Sequence, residues 1–128
     1  MKKYGIIITK IKKKGGEKML YVLNALIVPI NFDELNEIQV KFKKISIEEA
    51  KEIVKKAEWE SAIGHEATAK VLSQLLEIEI PAQRRTVFFE KGNRGIHFFL
   101  KQRLPEGVVL SEEELKKLDF WLVLSEVM

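Results

Sequence analysis

Apolar and polar positions alternate along this chain in two rhythms, one of strands and one of helices. Residues 20–26 are apolar at every position but Asn24, the pattern of a buried strand. Val28–Asp33 holds Pro29 and Asn31 and reads as a turn or short helix. Residues 39–45 alternate, which places Val40 and Phe42 inward and Gln39, Lys41 and Lys43 outward on a strand. Ser46 and Glu49 form a capping box, and Ala50, Ile53, Val54 and Ala57 make the apolar stripe of the helix it opens. A second helix is expected from a cap at Ser61 to about Leu76. Its buried arc is Ile63, Ala67, Val71 and Leu75, widened by Leu72 and Leu76, and Glu66, Lys70 and Ser73 face water.

Residues 85–90 and 96–102 read as two strands joined through Lys91–Gly95 as a hairpin. Ser111 and Glu114 form another capping box, opening a short helix through Leu118, and Phe120–Leu124 is a last apolar strand. The expected fold is therefore α/β or α+β: a small mixed sheet flanked by helices in a single domain.

Composition narrows the classes. A chain of 128 residues, 46% hydrophobic and 32% charged, suits one soluble domain with one core. No apolar run is long enough to span a bilayer. The absence of cysteine removes disulfides and thiolate metal sites and fits a reducing cytoplasm. Residues 1–18 carry seven lysines and one glutamate, a net of +6, so the remainder of a chain of net charge +3 is at −3. Long nucleic acid is not the expected partner, and phosphate binding would have to come from a local pocket.

Residues 1–18 admit two readings. The stretch at 12–19 can be encoded by a purine-rich string resembling a bacterial ribosome-binding site ahead of Met19, which makes 1–18 an extension and 19–128 the domain. Alternatively, Tyr4–Lys12 pairs with Lys18–Leu23 as a hairpin across Gly15-Gly16.

Chemistry concentrates at two places. His65, one of two histidines, opens an apolar helix, and Arg103 and Glu106 follow a strand. A helix N-terminus offers free backbone N–H groups to a phosphate, arginine matches phosphate bidentately, and histidine moves protons near neutral pH. A phosphate bound at that helix end would favour the protonated ring. Helical spacing alone instead puts His65 near Leu72 and Leu76, as a mostly buried histidine satisfied by a backbone carbonyl. His97 lacks a nearby partner in sequence and reads as structural or surface. No histidine–carboxylate cluster has metal-ligand spacing, so no metal or other cofactor is expected. Phe88, Phe89, Phe98 and Phe99 read as core aromatics of paired strands.

Five segments together carry a resemblance: Asn24-Ala25 after a strand, Ile63-Gly64-His65-x-x-Thr68, Pro81-x-x-Arg84 followed by Arg85, Arg103-Leu104-Pro105-Glu106-Gly107, and Val109-Leu110-Ser111. The chain from Leu20 to Val127 resembles the viral type III anti-CRISPR ring nucleases, a family with prokaryotic relatives. The resemblance implies a homodimer that cleaves the second messenger cyclic tetra-adenylate without metal. It implies His65 as the catalytic histidine, Arg103 and Glu106 beside it, and Asn24, Gly64, Thr68 and Arg85 around the ligand. Two positions differ from the viral pattern: Ile27 replaces a serine and Phe99 a glutamine, which alters contacts to base or ribose and not to phosphate. Two other classes fit the same residues: a non-catalytic sponge for the cyclic nucleotide, and a structural or partner-binding domain.

Overall fold

The computed structural model describes residues 19–103 and 110–128. In chain order these form β1 (Leu20–Leu23), β2 (Val40–Lys44), α1 (Ile47–Lys56), β3 (Trp59–Ser61), α2 (Glu66–Leu76), β4 (Arg94–Leu100), α3 (Glu112–Lys116) and β5 (Phe120–Val127). The strands make one mixed sheet in the order β2-β5-β4-β1-β3. β1 runs parallel to both β3 and β4, while β5 is antiparallel to β4 and β2. The chain is thus a single α+β domain, as its patterning implies. Among the described residues no helix is long and apolar enough to cross a membrane.

Both capping boxes form as read. Ser46 Oγ accepts from the Glu49 N–H while the Glu49 carboxylate accepts from the Ser46 N–H, and Ser111 and Glu114 repeat the exchange. Four residues contain all the partners, so the motif needs no tertiary help. The Ser46 backbone N–H holds the Glu49 carboxyl below its ordinary range. α1 buries Ala50 and Val54, and α2 buries Ala67, Val71, Leu72 and Leu76. Of these, Ala50, Val54, Val71, Leu72 and Leu76 meet Leu20, Val22, Ile96, Phe98 and Leu122 from one sheet face to make the main core. Each fully buried Val, Leu, Ile or Phe among them contributes about 1.5–3 kcal/mol.

The opposite sheet face is covered only in part. Leu23, Phe89 and Val127 form a smaller core there with Val87, Val28 and Ile30 from irregular segments. Phe42 and Trp121 lie on that face and remain 50% and 41% exposed. Phe42 therefore does not point into a core as its alternation suggested. β2 is an edge strand, and its Phe42 side stays half open.

Three further expectations change. Residues 85–90 are not a ladder strand: Phe89 makes one isolated parallel bridge to Ile30, and a turn at Gly92 (φ 93°) leads into β4. β4 has β1 on one side and β5 on the other, so no edge is free for a hairpin partner. Ser61 does not cap α2. It ends β3, is buried, donates to the Pro81 carbonyl and accepts from the Ile63 N–H. The three residues after it are spent crossing from the sheet to the helix layer, so the cap falls on His65. The expected hairpin of Tyr4–Lys12 with Lys18–Leu23, and residues 1–18 as an extension, fall on residues outside the described ones.

Gly95 has no room for a side chain. A Cβ there would lie 2.8 Å from both His97 Nε2 and Ser125 Oγ, and 3.1 Å from the Phe89 ring. Gly95→Ala is expected to lower stability by about 1–3 kcal/mol through overpacking. Urea unfolding measures this; an unchanged midpoint would mean that the neighbours move aside freely.

Candidate functional site

The site forms where parallel strands end. Asn24 follows β1 directly, Phe99 and Leu100 close β4, and Gln102 and Arg103 lie just beyond it. His65 is the N-cap of α2 and Thr68 stands in its first turn. These seven side chains line one open cavity of about 600 Å³. That volume is in the range of small-ligand sites, roughly 300–1,000 Å³. The carboxyl ends of adjacent parallel strands are where open α/β sheets bind ligands.

His65 is exposed, so the buried reading from helical spacing does not hold. The spacing argument assumed that the helix already included residue 65. At the N-cap the backbone is extended (φ −126°, ψ 120°), which swings the side chain out of the helical arc. No backbone N–H is capped by the ring. Its Nδ1 lies 3.2 Å from Thr68 Oγ1. The first backbone N–H groups of α2 lack intrahelical partners and sit at the positive end of the helix dipole. An imidazole, a guanidinium and free N–H groups therefore meet around one cavity, a set suited to binding an anion and moving a proton beside it.

The other expected residues are placed as follows. Gly64 precedes the cap and faces Arg84: a Cβ on it would lie 3.4 Å from Arg84 Nε. Arg85 does not line the cavity. Its guanidinium is paired with the Glu60 carboxylate, and its Nε donates to the Ser61 carbonyl at 3.2 Å, which ties the 81–90 segment to β3. Glu106 lies outside the described residues. Ile27 is exposed beyond Asn24, and Phe99 does line the cavity, stacked at 5.5 Å on Trp121 with the Lys101 amino group 4.9 Å from the Trp121 ring centre. Leu100 and Gln102 are lining residues that sequence reasoning did not single out. Their only signal was proximity to Arg103. Among the described residues, no group of three or more His, Asp or Glu side chains is arranged to hold a metal ion.

His97 is fully buried and structural. Its Nδ1 lies 2.8 Å from the Ala25 carbonyl and its Nε2 2.8 Å from Ser125 Oγ. Burial pushes its pKa below the usual histidine value, with the Ala25 carbonyl opposing that shift. The ring is therefore neutral, unlike an acid catalyst.

Residues 20–122 match the profile of the STIV B116-like family. The chain belongs to that family. Its relatives include uncharacterized protein 26 of Sulfolobus islandicus filamentous virus, 39% identical over 85% of this chain and 92% of that protein. Uncharacterized protein ORF117 of Acidianus two-tailed virus is 43% identical over 80% of this chain and 87% of that protein. A bacterial protein, uncharacterized protein YddF of Bacillus subtilis, is 38% identical over 60% of this chain and 73% of its own length. Among solved structures, B116 of Sulfolobus turreted icosahedral virus superposes with a TM-score of 0.70. It covers 84% of this chain and 98% of its own at 21% identity, a likeness of fold. The stretch matched by the family, residues 20–122, includes β1 and β4, whose carboxyl ends open on the cavity.

Proposed function

We propose that this chain is a metal-independent ring nuclease that cleaves cyclic tetra-adenylate to linear di-adenylates and so switches off type III CRISPR signalling, as an anti-CRISPR or a self-limiting factor. The observation that carries this reading is the meeting of His65, Thr68, Asn24 and Arg103 around one cavity at the N-terminus of α2. The viral sources of two relatives suit an anti-CRISPR role.

The ribose 2′-OH attacks the adjacent phosphorus in line, and the P–O5′ bond breaks. The product carries a 2′,3′-cyclic phosphate and a 5′-hydroxyl, and the 2′-OH proton passes to solvent. His65 acts as imidazolium. Both ring nitrogens then donate: Nδ1–H to Thr68 Oγ1, Nε2–H to the departing O5′. Such acid catalysis supplies about 10²–10⁴-fold. Arg103 and the α2 N–H groups neutralise the charge growing on the phosphorane oxygens. Glu106, by resemblance, orients Arg103. No step in this scheme asks for a metal ligand.

The working unit in this reading is a homodimer, with one scissile bond presented to each protomer of a two-fold ring. The exposed Phe42 and Trp121 beside half-buried Phe99 and Val123 support it, because they leave apolar sheet surface available to a second copy.

Incubation with excess cyclic oligoadenylates of several ring sizes, with and without EDTA, tests the reading when products are separated by chromatography. Expected are many turnovers on the four-membered ring, unaffected by EDTA, from a particle that light scattering weighs as a dimer. Intact ring retained at one equivalent per site would make the protein a sponge, and no affinity would make it a structural domain. Activity lost in EDTA and restored by Mg²⁺ would remove metal independence, and a fully active monomer would remove the dimer.

A further inference from the structure

We infer that His97 is a positioning residue that holds the Asn24 loop at the cavity, and that Ser125 and Gly95 exist in their present form to hold His97. The inference rests on the reading of that cavity as the ligand site. Asn24–Leu26 bend away after β1 and belong to no strand or helix. A segment of that kind needs an outside anchor to keep a side chain in one place. The anchor is the His97 ring, from the middle of the neighbouring strand β4, at 2.8 Å from the Ala25 carbonyl. A carbonyl only accepts, so Nδ1 carries the proton. Nε2 of the neutral ring is then an acceptor, and the Ser125 hydroxyl on β5 donates to it at 2.8 Å. The hydroxyl thereby selects the tautomer that the Ala25 carbonyl requires.

Gly95 completes the arrangement. It is two residues before His97 on the same sheet face and directly opposite Ser125 in the ladder. Any Cβ there would fall 2.8 Å from both members of the His97–Ser125 pair. His97 and Ser125 are both fully buried, so water does not compete for the bond between them. Together they form a relay from β5 through β4 to the residue beside Asn24. Packing alone would not call for it: a phenylalanine in place of His97 would fill a similar volume with no polar atoms to satisfy.

The test compares His97→Phe, which keeps the bulk and loses both bonds, with His97→Asn, whose amide can still donate to the Ala25 carbonyl. Amide hydrogen exchange at residues 24–26 of the free protein and the KM and kcat for cyclic tetra-adenylate are both read. In His97→Phe, exchange at 24–26 is expected to rise about tenfold, the size of one lost hydrogen bond. KM should rise by a similar factor with kcat nearly constant, since a ligand contact is misplaced while His65 and Arg103 stay. His97→Asn is expected to restore both, although its smaller polar side chain should melt at a lower temperature. Exchange and KM that follow melting temperature, so that Asn is worse than Phe, would overturn the inference. So would unchanged exchange at 24–26 in His97→Phe. Should that variant not fold, Ser125→Ala carries the test: it keeps the ring but frees the tautomer, and unaltered exchange at 24–26 counts against the relay. Where wild type cleaves nothing and the exchange pattern still appears, the nuclease reading fails and the loop-holding role stands.

Discussion

His65→Ala is expected to slow single-turnover cleavage of cyclic tetra-adenylate by about 10²–10⁴-fold, the usual contribution of a positioned acid. Binding should survive, because the α2 N–H groups and Arg103 remain. Stability should hardly change. His65 is exposed, caps no backbone group, and touches Thr68 through one 3.2 Å contact. Truncating such a surface residue shifts stability by about 0.5 kcal/mol or less. A histidine buried on the helix face would behave in the opposite way, losing about 1–3 kcal/mol with the rate of the folded fraction intact. Melting temperature and single-turnover rate on one sample separate the two. A normal rate in folded His65→Ala would remove it from the mechanism.

Arg103→Ala is expected to damage affinity and rate together. Guanidinium contacts phosphate in the ground state and, more strongly, as charge develops, so the loss should appear in Kd and in kcat. Removing a donor that faces developing charge costs about 10²–10³ in rate. Arg103→Lys keeps the charge but not the fork that matches two phosphate oxygens, and should recover binding more than rate. Arg103 is exposed just beyond β4, so the substitution should shift the melting temperature little. Equilibrium binding and single-turnover kinetics of Arg103→Ala check this. Affinity equal to wild type would show that Arg103 does not touch the ligand.

Legibility followed the range of the interactions involved. The capping boxes at Ser46 and Ser111 were readable because each donor meets its acceptor within four residues. The apolar stripes of α1 and α2 were readable because helical periodicity is a property of the local chain. Residues 85–90 were misread because β-branched and aromatic residues look the same whether or not an edge is free to pair with them. Phe42 was misread because alternation identifies a face and not what covers it. Helical spacing alone misplaced His65 because the register of α2 begins one residue after it, and a boundary shift of one or two residues decides which way a terminal side chain points.

The amino-acid sequence by itself determined the helices, most of the strands and the chemical kinds present: an imidazole ahead of an apolar helix, an arginine after a strand, and an asparagine closing another. It could not bring them to one place. Asn24, His65 and Arg103 meet because β1 and β4 run parallel as neighbours, so their carboxyl ends open on the same side, and α2 starts there. The link from His97 to Ala25 spans 72 residues and that from His97 to Ser125 spans 28. Contacts at such separation leave no periodicity in the chain. They exist only once the sheet order is set, and the sheet order is set by the burial of Leu20, Val22, Ile96, Phe98 and Leu122 against two helices, a sum over the whole core that no local window contains.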